Sequence, residues 1–198
     1  DVDMDLGSGR RLTGTVSPVF GDRLVEVSYS KLGGKHLLAA WIPLLALVAH
    51  DSGQAWSAVC IGRRKKGDGA RSETIHSPNV PAIDLLRDLV AIYDAGRREP
   101  IPLPLKTSFA WAEAAMSGGD SFYAANFHWR SNDNFPGEDK HPPHARAWRS
   151  GAPLSDLLEP VRPGEEYPGE KTRLGAYAAR LWRPLFEAIQ GQPARRGR

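Results

Sequence analysis

The stretch Arg11–His50, RLTGTVSPVFGDRLVEVSYSKLGGKHLLAAWIPLLALVAH, decides how this chain folds. Leu12, Gly14 and Val16 alternate with Thr13, Thr15 and Ser17, the period-two pattern of a strand with one buried face. Gly21-Asp22 supplies a tight turn. The run Leu24–Ser30 alternates again, with Val25, Val27 and Tyr29 on one face and Glu26, Ser28 and Ser30 on the other. Gly33-Gly34 breaks this pattern before a helical run from about Lys35. Leu37, Leu38, Trp41, Ile42, Leu44, Leu45, Leu47 and Val48 make that helix apolar on almost every side, with charge confined to its ends. It is shorter than the ~20 apolar residues of a membrane span, so it reads as a core helix. Pro43 removes an amide donor within it and predicts a kink.

Other segments read as packing around that hairpin and helix. Upstream, Asp1, Asp3 and Asp5 share a strand face; a calcium loop would want glycine and glutamate where Leu6 and Leu12 stand, so a solvated strand is expected. Downstream, Ala55–Gly62 reads as a buried strand, the basic stretch RRKKGDGAR (63–71) as a turn, and residues 72–76 as the return strand. Pro81 opens an amphipathic helix ended by Gly96, and the Pro-rich connector at 99–106 is expected to pack on its own domain. Thr107 or Ser108 can cap a helix through Ala115, and another short helix is expected from Ser121 to about Arg130. Ser131–Arg149 reads as a long polar loop, and the last helix spans about Thr172–Gln190 across Pro184.

Composition narrows the class. With 198 residues, 41% hydrophobic and 25% charged, the chain suits one domain with a substantial core, assigned to residues 1–190, followed by a basic disordered tail at 191–198. The single cysteine, Cys60, excludes a disulfide framework and a multi-cysteine zinc site, and suits a buried thiol in a reducing, cytoplasmic compartment. No signal peptide or membrane span is legible, and a start at Asp1 in strand-like sequence suggests a fragment of a longer polypeptide.

The hairpin and helix are similar to the heart of the PD-(D/E)xK nuclease fold. There a strand ending G-x-x-D is followed by a strand bearing D-x-K and then a helix. That chemistry needs two carboxylates converging on Mg²⁺ and a lysine two residues on, sharing the strand face of the second. The matching positions here are Gly14-Thr15-Val16-Ser17 and Ser28-Tyr29-Ser30. Ser17, Ser28 and Ser30 replace both carboxylates and the lysine, and a neutral hydroxyl is a poor Mg²⁺ ligand that brings no charge to a phosphoryl transition state. The expected fold class is therefore α/β, a nuclease-like mixed central sheet flanked by helices, with no catalytic residues and no metal.

Several stretches in order, RRLTGTVSPV, LVEVSYSKLGGKHLLAAWIPLLAL, LLRDLVAIYDAGRREPIPLPLKTSFAWAEA and AARLWRPLFEAI, resemble the C-terminal domain of the gamma (RecC) subunits of bacterial exodeoxyribonuclease V. The resemblance implies a pseudo-nuclease domain within an ATP-dependent helicase–nuclease acting in double-strand-break repair by homologous recombination. RecB-like and RecD-like partners would supply the motors, the nuclease and the Mg²⁺ and ATP chemistry. This domain would need no cofactor, and would dock subunits and guide unwound DNA. An alternative is a Mg²⁺-dependent nuclease using Glu26 or the Glu138–His144 loop; a third is a stand-alone nucleic-acid-binding module.

Two surfaces are candidates for binding. Arg63, Arg64, Lys65, Lys66 and Arg71 crowd one turn and could hold phosphates, although the net charge is only +3. Phe122, Tyr123, Phe127 and Trp129 crowd one short helix and could anchor a partner protein, or close this domain's own core. Glu138-Asp139-Lys140 matches E-x-K only by letters, since prolines flank it and deny it a core strand. His141 and His144 are three apart, but Pro142-Pro143 between them deny a helix face for a shared metal.

Overall fold

The computed structural model describes residues 1–64 and 66–191, which form mixed α/β structure in two compact units. The first comprises Asp1–Val90 with the chain from Pro184 onward; the second comprises Ala91–Arg183.

In the first unit, β1 (Val2–Gly7) and β2 (Arg10–Gly14) form a two-stranded antiparallel ribbon. Val2 and Leu6 are buried, while Asp3 on the opposite face holds Arg11 through two 2.6 Å hydrogen bonds. A separate four-stranded sheet has the order β3 (Val19–Phe20), β4 (Arg23–Lys31), β5 (Ser57–Arg63), β6 (Ala70–His76). Strands β4 and β5 are parallel and the other pairs antiparallel. A parallel pair needs a crossover, and α1 (Gly34–His50) supplies it, packing on β4 and β5. Trp41, Leu44 and Leu45 on α1 are fully buried, as are Ala58, Cys60 and Ile75 beneath it. The helix continues through Pro43.

The hairpin differs from the expected one. Strand β2 stops at Gly14 and pairs with β1, whereas the two-residue β3 pairs with β4 across Gly21-Asp22. Pro18, which has no amide hydrogen to give a ladder, separates the two strands; its carbonyl instead accepts from the Val25 amide at 3.2 Å.

The two faces of β4 also exchange their expected places. Leu24, beside Ala58, lies on the covered face together with Glu26, while Val27 and Tyr29 are 69% and 95% exposed. Alternation states which residues share a face, not which face a helix covers. Small residues on β5 settle that: Ala58, Cys60 and Gly62 alternate there and admit close neighbours. A Cβ at Gly62 would lie 3.0 Å from the Leu32 Cβ and 3.1 Å from the Ser30 carbonyl. Three residues of β4, 28–30, bulge between its Val27↔Ile61 and Lys31↔Arg63 pairings at this point.

Helix α2 (Ala82–Arg98) runs on through Gly96 rather than ending there, since an isolated glycine costs a helix only ~1 kcal/mol. In the second unit, α3 (Leu105–Ser117) begins before Thr107 and Ser108, which are buried within it rather than capping it, and Gly118 closes it in the left-handed region. Helix α4 (Ser121–Trp129) is capped by Asp120, whose carboxylate accepts from the Tyr123 amide at 2.9 Å.

The expected loop at 131–149 contains a 3₁₀ turn at Glu138–Lys140 and helix α5 (Pro142–Trp148). The prolines open α5 instead of forbidding it, because the first helical position needs no amide donor. The last helix, α6 (Arg173–Gln190), runs through Pro184, and only its residues up to Arg183 belong to the second unit.

Candidate functional site

Of the three serines, two lie on β4 and one does not. Ser17 sits in the irregular link between β2 and β3. The Ser28 Oγ, half-buried in the β4 bulge, accepts the Ser30 amide at 3.1 Å, and Ser30 is exposed. Glu26, the carboxylate named for the alternative nuclease, is half-buried on the covered face, in register with Cys60 and, beyond it, Glu73. Burial pushes the Cys60 thiol up to about 12, and the Glu26 and Glu73 carboxylates push it the same way. A thiol held protonated in this fashion is a poor nucleophile and metal ligand.

The other letter match, Glu138-Asp139-Lys140, is occupied by structural work. The Glu138 carboxylate accepts from the Lys106 amide at 3.0 Å, and from the Thr107 amide and hydroxyl at 2.8 Å each, so it caps α3 from a distance. Asp139 is buried and accepts the Ser131 amide at 3.1 Å together with the Ser131 hydroxyl. The Ser131 Oγ in turn accepts from Gly137. At Gly137 an added Cβ would lie 2.3 Å from the Trp129 carbonyl oxygen, so only glycine fits. His144 Nδ1 lies 2.9 Å from the Glu138 carbonyl oxygen, and the His141 and His144 rings are 5.1 Å apart. Among the described residues, no group of three His, Cys, Asp or Glu side chains could hold a metal ion.

The basic turn is less uniform than its sequence. Arg63, Arg64 and Lys66 are exposed. The Arg64 Nε donates to the Ala70 carbonyl at 3.2 Å, and Arg71 is ion-paired with Glu73. Lys65 lies outside the described residues, as does the tail beyond Gly191.

The four aromatic residues of α4 part company. Trp129 is only 1% exposed, packs with Ala125, Ala152, Leu154, Leu157 and Leu174, and donates its indole N–H to the Ala152 carbonyl at 2.7 Å. It belongs to the core. Phe122, Tyr123 and Phe127 on the same helix are exposed.

Two features escaped the sequence reading. One is a buried charge cluster: Arg173 makes paired hydrogen bonds to Glu165 at 2.7–3.0 Å and reaches Glu99 at 2.8 Å, while the Tyr177 hydroxyl donates to Glu165 at 2.9 Å. Burial alone would raise the Glu165 carboxyl, but the hydrogen bonds from Arg173, Tyr177 and the Arg162 amide outweigh it and hold the group below the usual range. The other is the open face of the four-stranded sheet, where Phe20, Val27 and Tyr29 are all exposed. No turn or charge signal marks that face, and its apolar alternation reads as core.

Fold and site together define a mixed α/β protein built around a parallel strand pair and a buried crossover helix. Within that class the chain belongs to the RecC C-terminal domain family, whose model matches residues 1–116. It is 64% identical over 188 residues to the RecBCD enzyme subunit RecC of Mycolicibacterium smegmatis and 55% identical to that of Mycobacterium tuberculosis. Each match covers 95% of this chain but 17% of the relative, so the chain spans about a sixth of the length of these curated relatives. Among the described residues, no helix is long and apolar enough to cross a membrane.

Proposed function

We propose that residues 1–190 act as a non-catalytic domain of a RecBCD-type ATP-dependent helicase–exonuclease, cytoplasmic and engaged in double-strand-break repair by homologous recombination. The observation that carries the reading is the family match combined with neutral serines at Ser17, Ser28 and Ser30. We read the β3–β4–α1 order preceding the parallel β5 as a PD-(D/E)xK-like frame, and a frame without its charges is free to act as a surface. Glu138, the carboxylate offered for an atypical site, is already engaged in capping α3. We assign two tasks: docking of RecB-like and RecD-like subunits through Phe122, Tyr123 and Phe127, and guiding of DNA through Arg63, Arg64 and Lys66.

The deciding experiment is co-purification of the full-length parent polypeptide with its candidate helicase subunits, comparing wild type with Phe122→Ala/Tyr123→Ala/Phe127→Ala. Loss of assembly at an unchanged melting temperature supports docking, and intact assembly removes these rings from the interface. Arg64→Gln/Lys66→Gln should flatten the salt dependence of duplex binding by about 0.9 per lost phosphate contact. The same preparation is expected to cleave no DNA with Mg²⁺ or Mn²⁺ when the nuclease subunit is left out. Cleavage abolished by Glu26→Gln would restore the nuclease reading.

A further inference from the structure

Helix α1 packs against one face of the four-stranded sheet, where Leu24, Ala58 and Cys60 are buried. Regular pairing defines the opposite face. There Phe20 is in register with Arg23, Val25 with Val59, and Val27 with Ile61. Phe20 and Val27 are 66% and 69% exposed, and Val25, Val59 and Ile61 are half-buried. On β6 the row continues into Ser72 and Thr74, the partners of Ile61 and Val59. Five apolar side chains on three adjacent strands thus make a strip open to water, and the bulge at 28–30 interrupts the pairing beyond Val27.

Such a strip is out of place on a solvated face. Antiparallel sheets that turn one face to water alternate apolar with polar residues, whereas a parallel pair joined by a crossover is covered on both faces and is apolar on both. Strands β4 and β5 are the parallel pair here, and the strip runs along them. On β5 the covered face carries the small Ala58, Cys60 and Gly62, while the larger Val59 and Ile61 are on the open side. Adjacent strands lie ~4.8 Å apart, so three of them span ~10 Å, the thickness of one helix.

Charge narrows the occupant. The strand positions of this face carry Arg23 at one end and Arg63 at the other and no carboxylate, while Glu26 and Glu73 are on the α1 face. Asp22 in the adjoining turn is 3.8 Å from Arg23, and both side chains are largely exposed, a contact of little strength. The curated relatives are about six times as long as this chain, so a parent of that length has ample further chain to cover the strip. A cover supplied only by a separate subunit would leave the strip exposed until assembly, and exposed apolar patches promote aggregation.

We propose that in the full-length parent polypeptide this strip is covered by an amphipathic helix from outside these 198 residues. The helix lies along β4 and β5, sets an aliphatic stripe on Phe20, Val27 and Ile61, and brings a carboxylate opposite Arg23. The sheet then has a helical layer on each face, and Val25 and Val27 become core residues, as their alternation reads. The inference is independent of the tasks assigned above to α4 and to the basic turn, so its failure leaves both in place.

The test uses the full-length parent polypeptide without sister subunits or DNA, carrying the photocrosslinker p-benzoylphenylalanine at position 20 or, separately, at position 27. Irradiation should join either position to a peptide outside the 198 residues whose apolar residues recur at helical spacing and which contains Asp or Glu. In a mixture of isotopically light and heavy protein, the joined peptides should come from the same molecule. Arg23→Glu should lower the crosslink yield several-fold, and reversing the facing acid to lysine should restore it. On the unmutated parent, hydroxyl-radical labelling should modify Phe20 several-fold more slowly than free phenylalanine, a readout that needs no variant. Labelling of Phe20 at the free rate overturns the proposal, as does failure to form an intramolecular crosslink. Crosslinks between light and heavy copies, or crosslinks that form only when a sister subunit or DNA is added, overturn it in favour of that occupant.

Discussion

The segment Ser131–Trp148 and the open face of the sheet offer opposite answers to the same question, what exposed-looking polar and aromatic residues are for. In the first, the fold consumes the chemistry: Glu138 caps α3, Asp139 binds the Ser131 amide, and Trp129 beside them is core. On the sheet, Tyr29, Val27 and Phe20 are left in solvent beside cations. The segment with the letters of a catalytic motif is structural, and the strand with the alternation of a core presents a surface. Satisfied hydrogen bonds separate the two cases, because a carboxylate already accepting three of them has little left for a ligand.

That contrast predicts a graded series of stability changes, readable as urea midpoints. The largest belongs to the charge cluster in the second unit, where Arg173→Leu strands the buried Glu165. The expected loss is ~3 kcal/mol at neutral pH, the usual consequence of removing one partner of a buried pair. Because the folded Glu165 carboxyl lies below its ordinary value of 4.5, its contribution is fully present above that pH and lost as pH falls through the folded value. The Arg173→Leu deficit should therefore shrink in acid, and a deficit independent of pH would remove Glu165 from the account.

Next comes Gly137→Ala, which forces the loop away from the Trp129 carbonyl and should cost about 1–3 kcal/mol. Near-UV circular dichroism should report the disturbed Trp129 environment, and an unchanged spectrum would contradict the close packing described here. A smaller loss, of about 1 kcal/mol, is expected from Glu138→Gln, which weakens the distant cap of α3. Hydrogen exchange should locate it at the amides of Lys106 and Thr107. Tyr29→Ala should be the smallest, within about 0.5 kcal/mol of wild type. A destabilisation as large as that of Gly137→Ala would mean that Tyr29 is packed, and would dissolve the contrast.

Much of the architecture is legible from residue order alone. The apolar run Leu37–Val48 specifies a buried helix wherever it is placed, and the Ala55–Gly62 and 72–76 stretches specify paired strands around a polar turn. The serines at 17, 28 and 30 are read directly from the sequence, because side-chain chemistry travels with it, and the proposal that they stand in for a nuclease's charges rests on that reading. Helix ends were harder. Gly96 lies inside α2, and α3 starts ahead of Thr107 because its capping carboxylate arrives from Glu138, a partner 31 residues away that no local pattern reveals.

Tertiary structure alone decided which face of β4 is covered and which of the α4 rings are free. Period-two alternation is symmetric between the faces of a sheet, and the choice falls where the small residues of β5 let α1 approach. Likewise, four aromatic residues on one short helix point in different directions, and only the position of Ala152, Leu154 and Leu174 makes Trp129 core while Tyr123 stays in water. Composition and period are properties of neighbours along the chain, whereas burial depends on contacts between segments far apart in it. That is why the sequence could determine the family, while which aromatic and strand surfaces stay exposed emerged only from the fold.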